Sequence, residues 1–209
     1  DIIAIIGANG SGKTTLLQCL ANLNPNYQGS LAVYGSSPTK KNWEWAKQAI
    51  YCFQNPDDQL YKATVLDGIK TTLSALKRTI PENLAEELET FGLSDYLNCE
   101  PYHLARPIRR MVCFAATMLS ESPVVLLDEP TANLDKRFKD IILKKIQDPG
   151  KKCAVVIIIS HDHDFVSQSA NKIIEMENGL IKYYPKQQDN NKFNQSKILN
   201  SNVFKTSNH

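Results

Sequence analysis

The sequence predicts an α/β fold in which a parallel sheet carries an inserted helical subdomain. Residues 2–6 form a continuous apolar run ending in glycine, which is typical of a central strand covered on both faces. Residues 124–127 and 154–159 are two more dense apolar segments, separated by a helical pattern over 138–146. Strands that alternate with helices favour a parallel sheet. The long segment 65–119 has apolar residues three and four apart, which predicts helices.

The remaining segments complete this prediction. A helix is expected from residue 13 to about 23, and short strands over 31–34 and 50–53. Breaks in the helical segment are expected at Pro81, Gly92, Pro101 and Pro107. The predicted divisions are 1–54 for the first part of the core, 55–119 for the helical insert, 120–184 for the second part of the core, and 185–209 for a polar, disordered tail. The chain begins without Met, directly in an apolar strand, so we expect an incomplete start.

Composition excludes few functions. With 24 basic and 22 acidic residues the net charge is +2, too small to predict a nucleic-acid partner or a lipid partner. The five cysteines form no CxxC pair, which favours free thiols in a reducing compartment. No apolar run approaches the roughly 20 residues that cross a bilayer. We therefore expect a soluble, cytoplasmic chain.

A phosphate-binding loop is predicted between the first strand and the first helix, where the sequence fits G-x-x-x-x-G-K-[ST]. Glycines let the backbone N–H groups converge on an anion, and the helix N-terminus adds positive potential. A simple turn would not require Gly-Lys-Thr at its end. Lys13 is expected on the β- and γ-phosphates, Thr14 on Mg²⁺ and Thr15 on the α-phosphate. The candidate ATP-binding residues are Gly7, Ala8, Asn9, Gly10, Ser11, Gly12, Lys13, Thr14 and Thr15.

Two carboxylates follow the apolar strand at 124–127, at the sheet edge where ligands bind in open α/β sheets. Asp128 is the candidate Mg²⁺ ligand, and Glu129 is the candidate that orients or deprotonates the attacking water. The alternative for Glu129 is an N-capping acid before Pro130. His161 ends the next apolar strand, where it is expected to contact the γ-phosphate and water; the alternative is a structural histidine.

Together these motifs resemble the ATP-binding cassette (ABC) ATPases, from residue 2 to about 184. The resemblance implies a P-loop NTPase core with a RecA-like parallel sheet, in which 7–14 is Walker A and 124–129 is Walker B with the catalytic glutamate. It makes His161 the switch histidine and residues 133–135 the D-loop. It also makes Gln54 the Q-loop glutamine, which touches Mg²⁺ and water. The sequence Gln-Asn-Pro-Asp-Asp-Gln-Leu at 54–60 resembles that of the energy-coupling-factor branch, which powers uptake of vitamins, cobalt and nickel.

One motif departs from the family pattern. The family signature Leu-Ser-Gly-Gly-Gln is replaced by Leu104-Ala105-Arg106-Pro107-Ile108. In the family this segment caps the nucleotide of a partner subunit, but Ala105 has no hydroxyl and Pro107 has no N–H. The helix itself is expected to survive, because proline is favourable in a first turn. The hypothesis is therefore an asymmetric heterodimer with a second ABC subunit, and the alternative is a symmetric homodimer.

The resemblance also implies a transmembrane partner subunit and a peripheral location on the cytoplasmic face of the membrane. Residues 55–66 lie where transporter members receive a short helix from that subunit, with Tyr61 and Val65 among the apolar candidates; ordinary packing is the alternative. A soluble ABC ATPase would be expected to carry a second cassette, a coiled coil or a basic surface. A third possibility is a regulatory subunit that hydrolyses little ATP. The family's adenine-stacking aromatic precedes the first strand, so no adenine contact is assigned.

Overall fold

The computed structural model describes residues 1–39, 42–60, 62–148, 150 and 153–185. The strands are β1 (Ile2–Ile6), β2 (Ala49–Cys52), β3 (Val124–Asp128), β4 (Val155–Ile159), β5 (Lys172–Glu177) and β6 (Leu180–Pro185). The α-helices are α1 (Lys13–Leu20), α2 (Asn42–Ala46), α3 (Val65–Ala75), α4 (Leu84–Glu89), α5 (Arg106–Leu119), α6 (Lys136–Gln147) and α7 (His163–Ser169). Short 3₁₀ turns cover Pro56–Asp58, Ser94–Tyr96 and Pro101–His103.

The six strands form one sheet in the order β2-β3-β4-β1-β5-β6. Each neighbouring pair from β2 to β5 is parallel, and only β6 is antiparallel to its neighbour. In the centre, Ile3 is in register with Ile157 on one side and Lys172 on the other. The predicted parallel sheet is confirmed. The carboxyl ends of β1 to β4 therefore meet at one edge.

Both faces of the sheet are covered, as continuous apolar strands require. Along β3, Val125 and Leu127 pack in the cluster that includes side chains of α3, α5 and α6, whereas Leu126 packs on the opposite face with Leu17 of α1. This alternation follows from the two-residue period of a strand. The strand ends are thus fixed from both sides, which makes the edge a rigid support for a site.

The insert between β2 and β3 is helical, as predicted, and α5 packs on α3 and β2. Pro81 precedes α4, Gly92 follows it with φ +75°, and Pro101 begins a 3₁₀ turn. Pro107 does not break a helix, since it lies in the first turn of α5, where no intrahelical N–H donor is needed. The helix after the altered signature therefore survives, as expected.

Some local predictions were wrong. The expected strand at 31–34 is replaced by an isolated bridge between Val33 and Ser36. Tyr34 and Gly35 both have positive φ, 48° and 77°, so the chain reverses there in a tight turn. Helix α1 ends at Leu20 rather than near residue 23. The elements α2, α7, β5 and β6 had not been predicted.

Several predictions are not tested. The tail from 186 onward and Tyr61 lie outside the described residues, and the domain limits at 54, 119 and 184 remain predictions. In the part of the chain that the structure describes, no helix combines the length and apolarity needed to cross a bilayer.

Candidate functional site

A cleft of about 560 Å³ opens at the carboxyl edge of the sheet, a volume typical of ligand pockets. It brings together most of the predicted site residues from four separate segments of the chain. Gly7, Ala8 and Ser11 of the predicted loop do not line it. The lining residues are Asn9, Gly10, Gly12, Lys13, Thr14, Thr15, Gln54, Asp128, Glu129, Ala132, Ile159 and His161.

The loop between β1 and α1 requires glycine at its first position. Gly7 has φ +143°, and a Cβ on it would lie 2.1 Å from the carbonyl oxygen of Met176 in β5. Gly12, with φ +95°, is the N-cap of α1. The free N–H groups of the first helical turn therefore face the cleft, where they and the helix dipole favour an anion.

Lys13 is 7% exposed, and its ammonium group curls back over the loop. Its Nζ donates hydrogen bonds of 2.9 Å to the carbonyl oxygens of Gly7 and Ala8. Loop and lysine thus form one compact unit around the start of α1. An anion bound against the loop would share this ammonium group with the two carbonyls.

Asp128 ends β3 and is 2% exposed. Its Oδ2 accepts a 2.6 Å hydrogen bond from the Tyr51 hydroxyl, and its Oδ1 is buried with no hydrogen-bond partner. Burial and the contact with Asp128 raise the pKa of Tyr51 well above its ordinary value, so the phenol stays a proton donor. Thr14 lines the same cleft as Asp128, and its hydroxyl together with the unpartnered Oδ1 fits Mg²⁺, which prefers oxygen ligands.

Glu129 follows with φ +50°, an unfavourable conformation for a residue with a Cβ. Its N–H donates to the carbonyl of Ile159 at 2.9 Å, which ties it to β4. The carboxylate lies 3.4 Å from His161 Nε2, and its other oxygen lies 3.4 Å from the His161 backbone N–H. Burial raises the pKa of Glu129. A carboxyl group with a raised pKa in a cleft suits proton transfer.

The segment that carries His161 is fixed by its next residue. Asp162 accepts a 3.0 Å hydrogen bond from the Phe165 N–H and so caps α7, while its other oxygen lies 2.6 Å from Lys139 Nζ. The Lys139 hydrogen bond lowers the pKa of Asp162. The His161 side chain itself remains 54% exposed. The imidazole is therefore held at the cleft edge but open to a ligand.

Two contributors to this site, Tyr51 and Met176, were not predicted from the sequence. Tyr51 carried a signal, because a hydroxyl within a buried strand needs a partner. The acceptor for the Tyr51 hydroxyl could not be predicted from the sequence, because it depends on the pairing of β2 with β3. Met176 contributes only a main-chain carbonyl from a strand that had not been predicted. The altered signature segment, residues 104–108, does not line the cleft.

Comparison with known proteins identifies the family. The family described as ABC transporter matches residues 1–132, more than half of the chain. The chain belongs to this family. A putative ABC transporter ATP-binding protein of Archaeoglobus fulgidus is 34% identical over 178 residues, which cover 83% of this chain and 74% of that protein. The energy-coupling factor transporter ATP-binding protein EcfA of Methanothermobacter thermautotrophicus is 31% identical, over 86% of this chain and 60% of its own length.

Solved structures agree on the fold. The protein cbiO1 of Clostridium perfringens, described as part of an ABC transporter complex, has a TM-score of 0.70 and 25% identity over 87% of this chain and 75% of its own. A dimeric ATP-binding cassette bound to ADP and Pi has a TM-score of 0.72 at 21% identity, over 86% of this chain and 82% of its own. The predicted P-loop NTPase fold is confirmed, and the chain is an ABC ATPase domain. It spans only 34% of another relative, from Caldanaerobacter subterraneus.

Proposed function

We propose that this protein is the ATP-binding and ATP-hydrolysing subunit of an ABC transporter, working with a second ABC ATPase subunit and separate transmembrane subunits. In that role it is peripheral to the membrane, on its cytoplasmic face. The observation that carries the proposal is the cleft that residues 9, 10 and 12–15 of the loop line together with Gln54, Asp128, Glu129 and His161. The family match supports transport over other ATP-driven functions.

In the proposed mechanism the triphosphate of ATP rests against the N–H groups of the loop and the start of α1. The Lys13 ammonium group, which also binds the carbonyls of Gly7 and Ala8, contacts the β- and γ-phosphates, and Thr15 contacts the α-phosphate. Thr14, Gln54 and Asp128 would hold Mg²⁺, which when bound would offset the charge of the phosphates. The unpartnered Oδ1 of Asp128 supports this assignment.

Hydrolysis is proposed to proceed by in-line attack. The oxygen of a water molecule bonds to the γ-phosphorus, the bond from phosphorus to the β–γ bridging oxygen breaks, and ADP and phosphate are formed. Glu129 orients this water and accepts its proton, for which its raised pKa is suited. His161 contacts the γ-phosphate and the attacking water. The 3.4 Å separation of the Glu129 and His161 side chains supports a shared role at one reacting atom.

The altered signature supports a heterodimer over a homodimer. Ala105 is the N-cap of α5 without a side-chain cap, and Pro107 lacks an N–H, so two phosphate donors of the family pattern are missing. The start of α5 would impair the nucleotide site of the partner it faces. Arg106, exposed at the same helix start, partly replaces the lost positive potential. The cleft of this chain remains competent when it faces an intact signature.

The substrate class is proposed from residues 54–60 and from the energy-coupling factor transporter relative EcfA, which together support energy-coupling-factor uptake of a vitamin or metal ion. A regulatory subunit that hydrolyses little ATP is the second candidate, favoured by the loss of signature donors at Ala105 and Pro107. A soluble ABC ATPase outside transport is less well supported by the family match. No nucleic-acid partner is proposed, because the net charge is only +2.

The test is ATP hydrolysis by this protein alone and mixed with the cassette encoded beside it in its genome. We expect turnover only in the mixture, reduced about 100-fold or more by Glu129→Gln in this chain. Turnover by the protein alone at the rate of the mixture would refute the heterodimer. No turnover in either sample, with ATP still bound, would favour the regulatory subunit.

A further inference from the structure

Arg110 is a buried arginine on α5, with 4% of its surface exposed. Its guanidinium group donates through one nitrogen to the carbonyl oxygen of Glu129 and through the other to the carbonyl oxygen of Gln54, at 2.9 Å for the second contact. One planar group thus joins the main chain at the ends of β3 and β2. Both carbonyls belong to residues whose side chains line the cleft.

The Glu129 backbone depends on such support. Its left-handed conformation, with φ +50°, is unfavourable for any residue with a Cβ and persists only where surrounding contacts impose it. The N–H of Glu129 is held by Ile159 at 2.9 Å, and its carbonyl is held by Arg110. Because both peptide groups are fixed, the direction in which the carboxylate leaves the backbone is fixed as well.

The same helix also holds the segment that begins at Gln54. Beside the Arg110 contact, Arg109 pairs with Asp57 at 2.7 Å, and Cys113 Sγ lies 3.7 Å from the carbonyl oxygen of Pro56. Three successive contacts from one face of α5 therefore fix residues 54–57. Arg110 differs from the other two because it alone reaches Glu129.

We propose that Arg110 is a positioning residue for hydrolysis, which sets the geometry of Glu129 and Gln54 together. This inference rests on the proposed role of Glu129. The rigid fork of a guanidinium reaches both carbonyls at once, whereas a lysine ammonium on the same backbone is a single point donor. Misplacement of the two side chains affects the chemical step more than it affects phosphate binding, which the loop 7–15 provides.

The experiment compares Arg110→Lys and Arg110→Met with wild type, each mixed with the partner cassette. We expect kcat to fall at least about tenfold. The KM and the Kd of a fluorescent ATP analogue should stay within about threefold of wild type. In the double variant Arg110→Met with Glu129→Gln, the fold-loss in kcat should be smaller than the product of the two single-variant losses. Both substitutions act on the Glu129 carboxylate, so their effects should not multiply.

Arg78→Met is the matched control. Arg78 also donates to main-chain carbonyls in its described contacts, those of Ser120, Lys47 and Glu121, and it does not line the cleft. The Arg78→Met substitution should lower the Tm and leave kcat per folded molecule unchanged. The proposal is overturned if the Arg110 variants keep kcat within about threefold, lose ATP binding in parallel with kcat, or both fail to fold. Full activity of Glu129→Gln would instead refute the proposed function.

Discussion

The hydroxyl of Tyr51 donates a 2.6 Å hydrogen bond to Oδ2 of Asp128, across the β2–β3 pair. This contact holds the carboxylate in one orientation and leaves only its other oxygen, Oδ1, without a partner. A buried carboxylate oxygen that is oriented but unpaired is costly in the protein alone and useful to a cation. The Tyr51 hydroxyl therefore orients Asp128, the proposed Mg²⁺ ligand, without binding the metal itself.

Removal of this hydroxyl by Tyr51→Phe should lower the stability of the protein and raise the Mg²⁺ concentration that ATP binding requires. The buried Oδ2 loses its donor, so the free energy of unfolding should fall by about 1–3 kcal/mol. The Mg²⁺ concentration that supports half-maximal ATP binding should rise about tenfold, as is usual when a group that orients a ligand is lost. Thermal unfolding and a Mg²⁺ titration measure the two effects.

Tyr102→Phe is the control for that substitution. The Tyr102 hydroxyl also donates to an acceptor, the carbonyl oxygen of Leu60, but its ring is half exposed and outside the cleft. The Mg²⁺ response should be unchanged. An equal shift in both variants would show that the Asp128 contact has no special effect on the metal.

Substitution of the first loop glycine should abolish nucleotide binding. In Gly7→Ala the new Cβ would lie 2.1 Å from the Met176 carbonyl oxygen, and φ +143° is rarely adopted by residues with a side chain. The loop must move or β5 must separate from β1. We expect a loss of about 2 kcal/mol or more in stability and no measurable ATP binding by calorimetry.

The matched control is Gly68→Ala in α3, where the new Cβ would lie 3.9 Å from Lys62 Cβ, at ordinary contact distance. Since alanine favours a helix over glycine, this change should stabilise the protein by about 0.5–1 kcal/mol and leave ATP binding intact. Wild-type binding by Gly7→Ala would contradict the loop assignment.

Glu129→Gln should increase stability at neutral pH. Burial raises the pKa of Glu129 in the folded protein above its ordinary value of 4.5. Its neutral form therefore contributes stability that is fully present below pH 4.5 and lost as the pH rises through the folded pKa. The variant does not ionise, so its Tm should exceed that of wild type by on the order of 2 °C at pH 7.5 and by almost nothing below pH 4.5.

Glu177→Gln provides the contrast for this pH profile. The hydrogen bond from Lys182 lowers the pKa of Glu177, so the sign of the effect is reversed and no gain is expected at pH 7.5. A Tm difference for Glu129→Gln that is the same at every pH would show that the carboxylate is not destabilised by burial.

The core of the fold was predictable because its strands are unusually uniform. The buried runs of β1, β3 and β4 have the length and the continuous apolar composition with β-branched residues that predict buried parallel strands. The strands β5 and β6 were missed because charged residues interrupt their apolar pattern. At residues 31–34 the apolar pattern was present, but the positive φ of Tyr34 turned the chain back.

The candidate site was largely predictable because its residues follow predicted strands directly. Lys13, Asp128, Glu129 and His161 were expected together at one edge, and the cleft contains all four. Tyr51 and Arg110 were not assigned roles, since their contacts join residues 77 and 19 positions apart and depend on packing. Such long-range contacts leave no local pattern in the sequence.

The central claim is that the cleft hydrolyses ATP whenever it faces an intact signature. The most direct test restores the first four residues of the family signature in this chain, by Ala105→Ser, Arg106→Gly and Pro107→Gly together, and measures steady-state ATP hydrolysis without a partner. The account predicts turnover at least about tenfold above wild type, lost on adding Glu129→Gln. A folded triple variant that hydrolyses ATP no faster than wild type, or whose activity survives Glu129→Gln, would contradict it.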